Sequence, residues 1–148
     1  MSNAQNSELA SRLIYLLKRT QAQMENLNDR ALAPIGINSR ELAVLIAIAG
    51  GEPTSQQQLA ERLGVDRTTM VALLDMLEGK GIVSRHPHSD DRRRNIVELT
   101  DKGNNTLENG VLASNQAEHT LLGSLSPEAA TALRESLRTI VNHPTRLR

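Results

Sequence analysis

Two stretches of the sequence carry side chains suited to reading a nucleic acid. The first, Asp66-Arg67-Thr68-Thr69 with Val71 and Ala72 behind it, offers a guanidinium, hydroxyls and small apolar groups. Base edges and thymine methyls in a major groove are contacted by such groups. The second is Arg92-Arg93-Arg94, a compact cation beside Asp90 and Asp91. A minor groove is narrow and negative, and arginine enters it readily. Asp90 and Asp91 are near enough to hold neighbouring guanidiniums in one direction, since opposite charges attract at short range. Ser55 and Gln56 sit at an expected helix start and are candidates for phosphate contact. Three adjacent arginines ordinarily make a solvated turn; here they sit on an expected hairpin that directly follows the helix carrying Arg67 to Ala72, which favours a functional reading.

Other chemistries find little footing. Of the four histidines, His86 and His88 could share one face of a strand, but a metal needs further ligands and Asp90 is the only near candidate. There is no glycine-rich phosphate loop, nucleophile motif or pair of acids expected to be buried, so neither an enzyme nor a cofactor is expected. The lack of cysteine excludes a disulfide framework, a thiolate zinc site and a thiol redox sensor, and fits the cytoplasm. Tyr15 is the only aromatic residue, which argues against stacking on single strands. The 17 basic and 17 acidic residues balance, and alone this speaks weakly against a nucleic-acid partner. Locally the balance tilts: residues 80–95 hold Lys80, Arg85, Arg92, Arg93 and Arg94 against Asp90 and Asp91, an excess of three positive charges.

The apolar pattern predicts the scaffold. A long first helix is expected from about Ser7 to just before Pro34, with Leu9, Leu13, Leu17, Met24, Leu27 and Ala31 on one stripe. Asn38 and Glu41 are spaced as a capping box for a second helix that buries Leu42, Val44, Leu45 and Ile48 and stops at Gly50-Gly51. Ser55 and Gln58 form the box of a third, ended by Gly64. Asp66 caps a fourth with Met70, Leu73, Leu74 and Leu77 inward, ending at Gly79 and Gly81. The third and fourth make a helix-turn-helix candidate. Small Ala60 allows a close crossing, Gly64 permits a left-handed turn, and Met70 plugs the space between, with Leu59, Leu63, Val65 and Leu73 around it. The outer face of the fourth helix is then left for a ligand.

The period next shifts to alternation. Residues 82–86 and 94–99 read as strands around a turn at 87–91, a hairpin wing. Thr100 caps a fifth helix with Leu107, Val111 and Leu112 on one face, and Ser126-Pro127-Glu128 opens a sixth. The whole reads as a single domain, mostly α with a small β-hairpin wing. Within it, 38–100 is a winged helix-turn-helix, and 6–33 with 101–142 form a helical dimerisation region. Leu9, Leu13, Leu17, Leu133, Leu137 and Ile140 leave more apolar stripe than a monomer tolerates, so a second copy is expected to cover them. Residues 1–12 are polar and the apolar runs are short, so neither a secretory leader nor a membrane partner is expected.

The run Gln58-Leu59-Ala60-Glu61-Arg62-Leu63-Gly64, then Asp66 to Thr69 and Leu73 to Val83, resembles the DNA-binding core of MarR-type regulators. So do Asp90-Asp91-Arg92-Arg93, Val97 to Gly103 and Leu125-Ser126-Pro127-Glu128. The resemblance implies a regulator of bacteria or archaea, expected as a repressor, acting as an intertwined homodimer on near-palindromic double-stranded DNA. The fourth helix would lie in the major groove and the wing in the minor groove. In the family's acid-x-arginine motif, here Asp91-Arg92-Arg93, the resemblance makes Arg93 the first choice for the inserted residue, Arg92 the second, and Asp91 the orienter. It also implies relief by a small aromatic or anionic effector, for which Tyr15 and Arg40 are weak candidates. Ala72 and Met76 depart from the family, where charged residues are common. The rival reading is a winged helix that binds protein and no DNA.

Overall fold

The computed structural model describes residues 2–50, 52, 54–90 and 95–146. Its first helical segment is not continuous: α1 (Ser2–Ser11) and α2 (Leu13–Leu32) part at Arg12, whose backbone is extended at φ −70°, ψ 132°. No proline or glycine marks the break. Ser11 Oγ donates to the Glu8 carbonyl at 2.8 Å and Arg12 N to the Leu9 carbonyl at 3.1 Å, so the chain turns on local bonds. The single helix expected from about Ser7 is corrected accordingly, and Leu9 stands on a different helix from Leu13 and Leu17. Only the lower part of the stripe, Met24, Leu27 and Ala31, is half-buried within the chain.

The remaining helix starts lie where the caps predict. At α3 (Ser39–Ile48), Asn38 Oδ1 accepts from Glu41 N at 2.9 Å and Glu41 Oε1 from Asn38 N at 3.1 Å. Ser55 and Gln58 repeat the reciprocal pair at α4 (Gln56–Leu63). Asp66 caps α5 (Arg67–Gly79), Thr100 caps α6 (Asp101–Leu121), and Ser126 caps α7 (Pro127–Asn142) with Pro127 at the first position. Each cap satisfies a backbone N–H that the helix itself cannot. The core forms where α2, α3, α4, α5 and the sheet meet, around Leu32, Val44, Leu45, Leu59, Met70, Leu74, Leu77 and Val97.

Among the described residues, three strands make one antiparallel sheet: β1 (Thr54–Ser55), β2 (Val83–Pro87) and β3 (Asn95–Leu99), in the order β1-β3-β2. The β2–β3 hairpin is the expected wing. The sequence reading missed β1, because two residues are too few to show alternation. Thr54 opposite Val97 and Ser55 opposite Ile96 tie the base of the wing to the start of α4.

Helix α6 lies close on this core through small residues: Gly103, Thr106, Gly110 and Ala117 are buried. Leu107 and Val111 pack against the core, whereas Leu112 is 62% exposed. The expectation that all three share a face is thus corrected; residue 112 is turned about 100° from 111. Arg134 of α7 pairs with Glu118 of α6 at 2.7 Å. Among the described residues no single helix is long and apolar enough to cross a membrane.

Candidate nucleic-acid interface

The α4–α5 turn has the backbone that its sequence requires. Gly64 takes φ 63°, and Val65 N donates to the Ala60 carbonyl at 3.1 Å. Ala60 is buried at the crossing, and Met70, Leu74 and Leu77 fill the inner face of α5. On the outer face Arg67, Thr68 and Ala72 are exposed, while Thr69 and Val71 are half-buried. A groove of about 430 Å³ runs between α4, α5 and the start of β3. It brings together Ser55, Gln56, Arg67 and Val71, and Asn95 closes its far side. Thr68, Thr69 and Ala72 do not line it.

Several of these side chains already have partners. Ser55 is buried, and its hydroxyl accepts from Gln58 N at 3.2 Å as the cap of α4. Gln56 is half-buried, its Oε1 accepting from Arg85 Nη1 at 3.1 Å. Thr69 donates twice to Asp66: its N–H to Oδ1 at 2.7 Å and its hydroxyl to Oδ2 at 3.0 Å. The Thr69 backbone bond, then its hydroxyl, hold the Asp66 carboxyl below the usual aspartate range. With its proton committed to Asp66, Thr69 offers a methyl group and a lone pair outward.

In the wing, sequence reasoning counted Arg85 only as one cation among five. The structure pairs it with Asp75 and Glu78 of α5. Its hydrogen bonds to Glu78 hold that carboxyl below the usual glutamate range, and the same bonds raise the guanidinium further. Lys80 is likewise paired, with Glu41. Two of the five cations between 80 and 95 are therefore paired with acids of the same chain. Asp91, Arg92, Arg93 and Arg94 lie outside the described residues, as does Gly51. His86 Nε2 is 3.2 Å from Glu98 Oε2, whereas His88 lies beyond β2 and its Nδ1 accepts from Asp90 N at 3.0 Å. The two imidazoles serve different partners.

The six apolar residues assigned to a partner, Leu9, Leu13, Leu17, Leu133, Leu137 and Ile140, are 38–68% exposed in the single chain. Leu17, Leu133 and Leu137 converge, with Met24 and Leu121, on a groove of about 610 Å³ between α2, α6 and α7. Leu9 and Ile140 stand outside it, and Leu13 joins Leu17 on a second groove at the α1–α2 break. Tyr15 is half-buried and Arg40 exposed, and neither lines these grooves.

A MarR family sequence profile matches residues 35–94. Over 106 residues, 72% of this chain and 67% of the relative, the sequence is 28% identical to the HTH-type transcriptional repressor NicR of Pseudomonas putida. In three dimensions it is similar to the transcriptional repressor CouR bound to a 23-mer DNA duplex, with a TM-score of 0.85 and 33% identity, over 90% of this chain and 95% of that one. A mutant MarR from E. coli complexed with operator DNA gives a TM-score of 0.79 at 26% identity, over 86% of this chain and 92% of the other.

Proposed function

The chain belongs to the MarR family, homodimeric winged-helix regulators that bind specific DNA sequences and catalyse no reaction, and from that premise we propose that it represses transcription at a near-palindromic operator. Helix α5 enters the major groove with Arg67, Thr68, Thr69, Val71 and Ala72 toward the bases, and Ser55 and Gln56 lie beside the phosphates. The wing reaches the adjacent minor groove through Arg92, Arg93 and Arg94. Arg93 is the inserted side chain and Asp91 orients it. The observation that carries this reading is the division of α5: Met70, Leu74 and Leu77 are consumed by the core, while Arg67, Thr68 and Ala72 are left free at its first turns.

Repression is favoured because NicR and CouR both bear that name. Leu9, Leu13, Leu17, Leu133, Leu137 and Ile140 meet a second copy, which covers the groove between α2, α6 and α7. Residues 6–33 and 101–142 then serve dimerisation and 38–100 serves DNA contact. A regulator of this kind works where the chromosome is, so we place it in the cytoplasm of a bacterial or archaeal cell. A small aromatic or anionic effector relieves binding.

Selection from random duplexes tests the assignment. A variant with Arg67→Ala, Thr68→Ala and Thr69→Ala should yield a changed or lost consensus, because base contacts carry sequence information whereas phosphate contacts do not. The same consensus from wild type and variant would overturn it.

A further inference from the structure

Arg85 leaves the β2 strand of the wing and is enclosed by two other elements, its side chain only 17% exposed. Nη2 donates to Asp75 Oδ1 and, at 3.2 Å, to Glu78 Oε1. Nε donates to Glu78 Oε2 at 3.3 Å and Nη1 to Gln56 Oε1 at 3.1 Å. The Arg85 backbone N–H adds a bond to Glu78 Oε2 at 3.2 Å. One planar guanidinium therefore fastens the wing to the C-terminal half of α5 and to the start of α4. A rigid fork of donors can do this, whereas an ammonium on a flexible stem cannot reproduce the geometry. Both acids are largely solvated, so the arrangement fixes direction more than it adds stability.

We infer that Arg85 is a positioning residue for DNA binding: it sets the angle between wing and recognition helix so that both reach neighbouring grooves of one duplex, and it contacts no phosphate itself. The inference rests on the reading of α5 and the wing proposed above. Its charge is already met by Asp75 and Glu78, so this half-buried cation is committed within the fold. Gln56, held by the same guanidinium, is placed at the groove between α4 and α5 by the same contact.

The sign of two effects separates positioning from direct contact. Operator affinity is measured at several salt concentrations for wild type, Arg85→Lys and the double variant Asp75→Asn with Glu78→Gln, with circular dichroism to establish equal folding. Hydroxyl-radical and dimethyl sulfate footprints report the minor and major grooves separately. Positioning predicts that Arg85→Lys and the acid double variant each lose about tenfold in affinity, the scale of a broken network. Both should lose minor-groove protection while guanine protection persists. A phosphate-binding cation predicts the reverse: lysine suffices, and removing two negative charges tightens binding. Either of those results overturns the role. A wild type without flanking minor-groove protection overturns the wing reading and this role with it; protection that survives in the double variant overturns this role alone.

Discussion

Lys80 Nζ lies 2.8 Å from Glu41 Oε2 and donates also to the Gly36 carbonyl at 2.9 Å, joining the end of α5 to the start of α3. Glu41 is buried, and its other oxygen completes the capping box with Asn38. The Lys80 carbonyl in turn accepts from Lys102 Nζ of α6 at 2.8 Å. A buried ion pair gains little net stability over an apolar pair, but it penalises any arrangement that separates its members. Here it fixes the register of the recognition helix against the two helices beside it.

Removing one member should therefore cost more than removing the charge of the other. Lys80→Met leaves Glu41 buried with only its cap bond and should destabilise by about 2–3 kcal/mol, below the full buried-pair cost because Lys80 is 35% exposed. Glu41→Gln keeps a side chain able to close the box and should cost about 1 kcal/mol. Urea unfolding measures both. Equal losses, or a Lys80→Met variant as stable as wild type, would show that the pair does not hold the junction.

The second junction is steric. A Cβ at Gly103 would lie 2.0 Å from the Ile82 carbonyl oxygen, which is backbone and cannot swing aside. At Gly110 the nearest atom is Leu42 Cδ1 at 2.9 Å, the tip of a side chain. Alanine gains up to about 1 kcal/mol of helix propensity at either place. Gly103→Ala should nonetheless lose about 2–3 kcal/mol by overpacking, and Gly110→Ala should stay within about 1 kcal/mol of wild type. Thermal unfolding of the two variants checks the order; a neutral Gly103→Ala would mean that α6 can lift from the wing base without penalty.

Much of this scaffold is legible in the sequence because its signals are local. The capping pairs Asn38–Glu41 and Ser55–Gln58 announce helices within four residues, and Gly64 announces its turn by type alone. The break at Arg12 carries no such mark, and β1 is too short to have a period. Arg85 is hidden for a different reason. Its partners lie seven and ten residues back, across a helix end and a turn, where sequence spacing corresponds to no fixed geometry. Its charge is visible in the sequence, but not that the charge is already spent.

Acid should loosen the start of α5. The Asp66 carboxyl titrates below the usual aspartate value because Thr69 binds its ionised form. A depressed folded pKa contributes stability that is complete above the unfolded value, near pH 4, and is lost as pH falls through the lower folded value. Asp66→Ala should therefore lower Tm at neutral pH, and the gap from wild type should narrow only below about pH 4. A gap that does not change between pH 7 and pH 2.5 would mean that the ionised cap contributes nothing.

The wing gives a direct test on DNA. Arg93→Ala should weaken operator binding by about 1–3 kcal/mol, the usual value of a groove contact, and reduce the salt slope. Folding stability should hardly change. Wild-type affinity for Arg93→Ala at two salt concentrations would remove the wing from the interface.

Dimerisation should be separable from DNA chemistry. Leu133 and Leu137 line the groove between α2, α6 and α7, and among the described residues neither belongs to the hydrophobic core. Leu133→Glu with Leu137→Glu should thus leave the helical content of a single chain intact while placing two charges where a second copy must pack. Sedimentation of wild type should give twice the 16.2 kDa chain mass before DNA is added, and the variant should give the chain mass alone. Two recognition helices held roughly 34–36 Å apart address both half-sites of one operator; one helix addresses half of it weakly. Specific binding should accordingly be lost in the variant although Arg67 and Arg93 are untouched. A variant that sediments as a monomer and still footprints both half-sites at wild-type concentration would show that the two copies meet on the DNA rather than through α7.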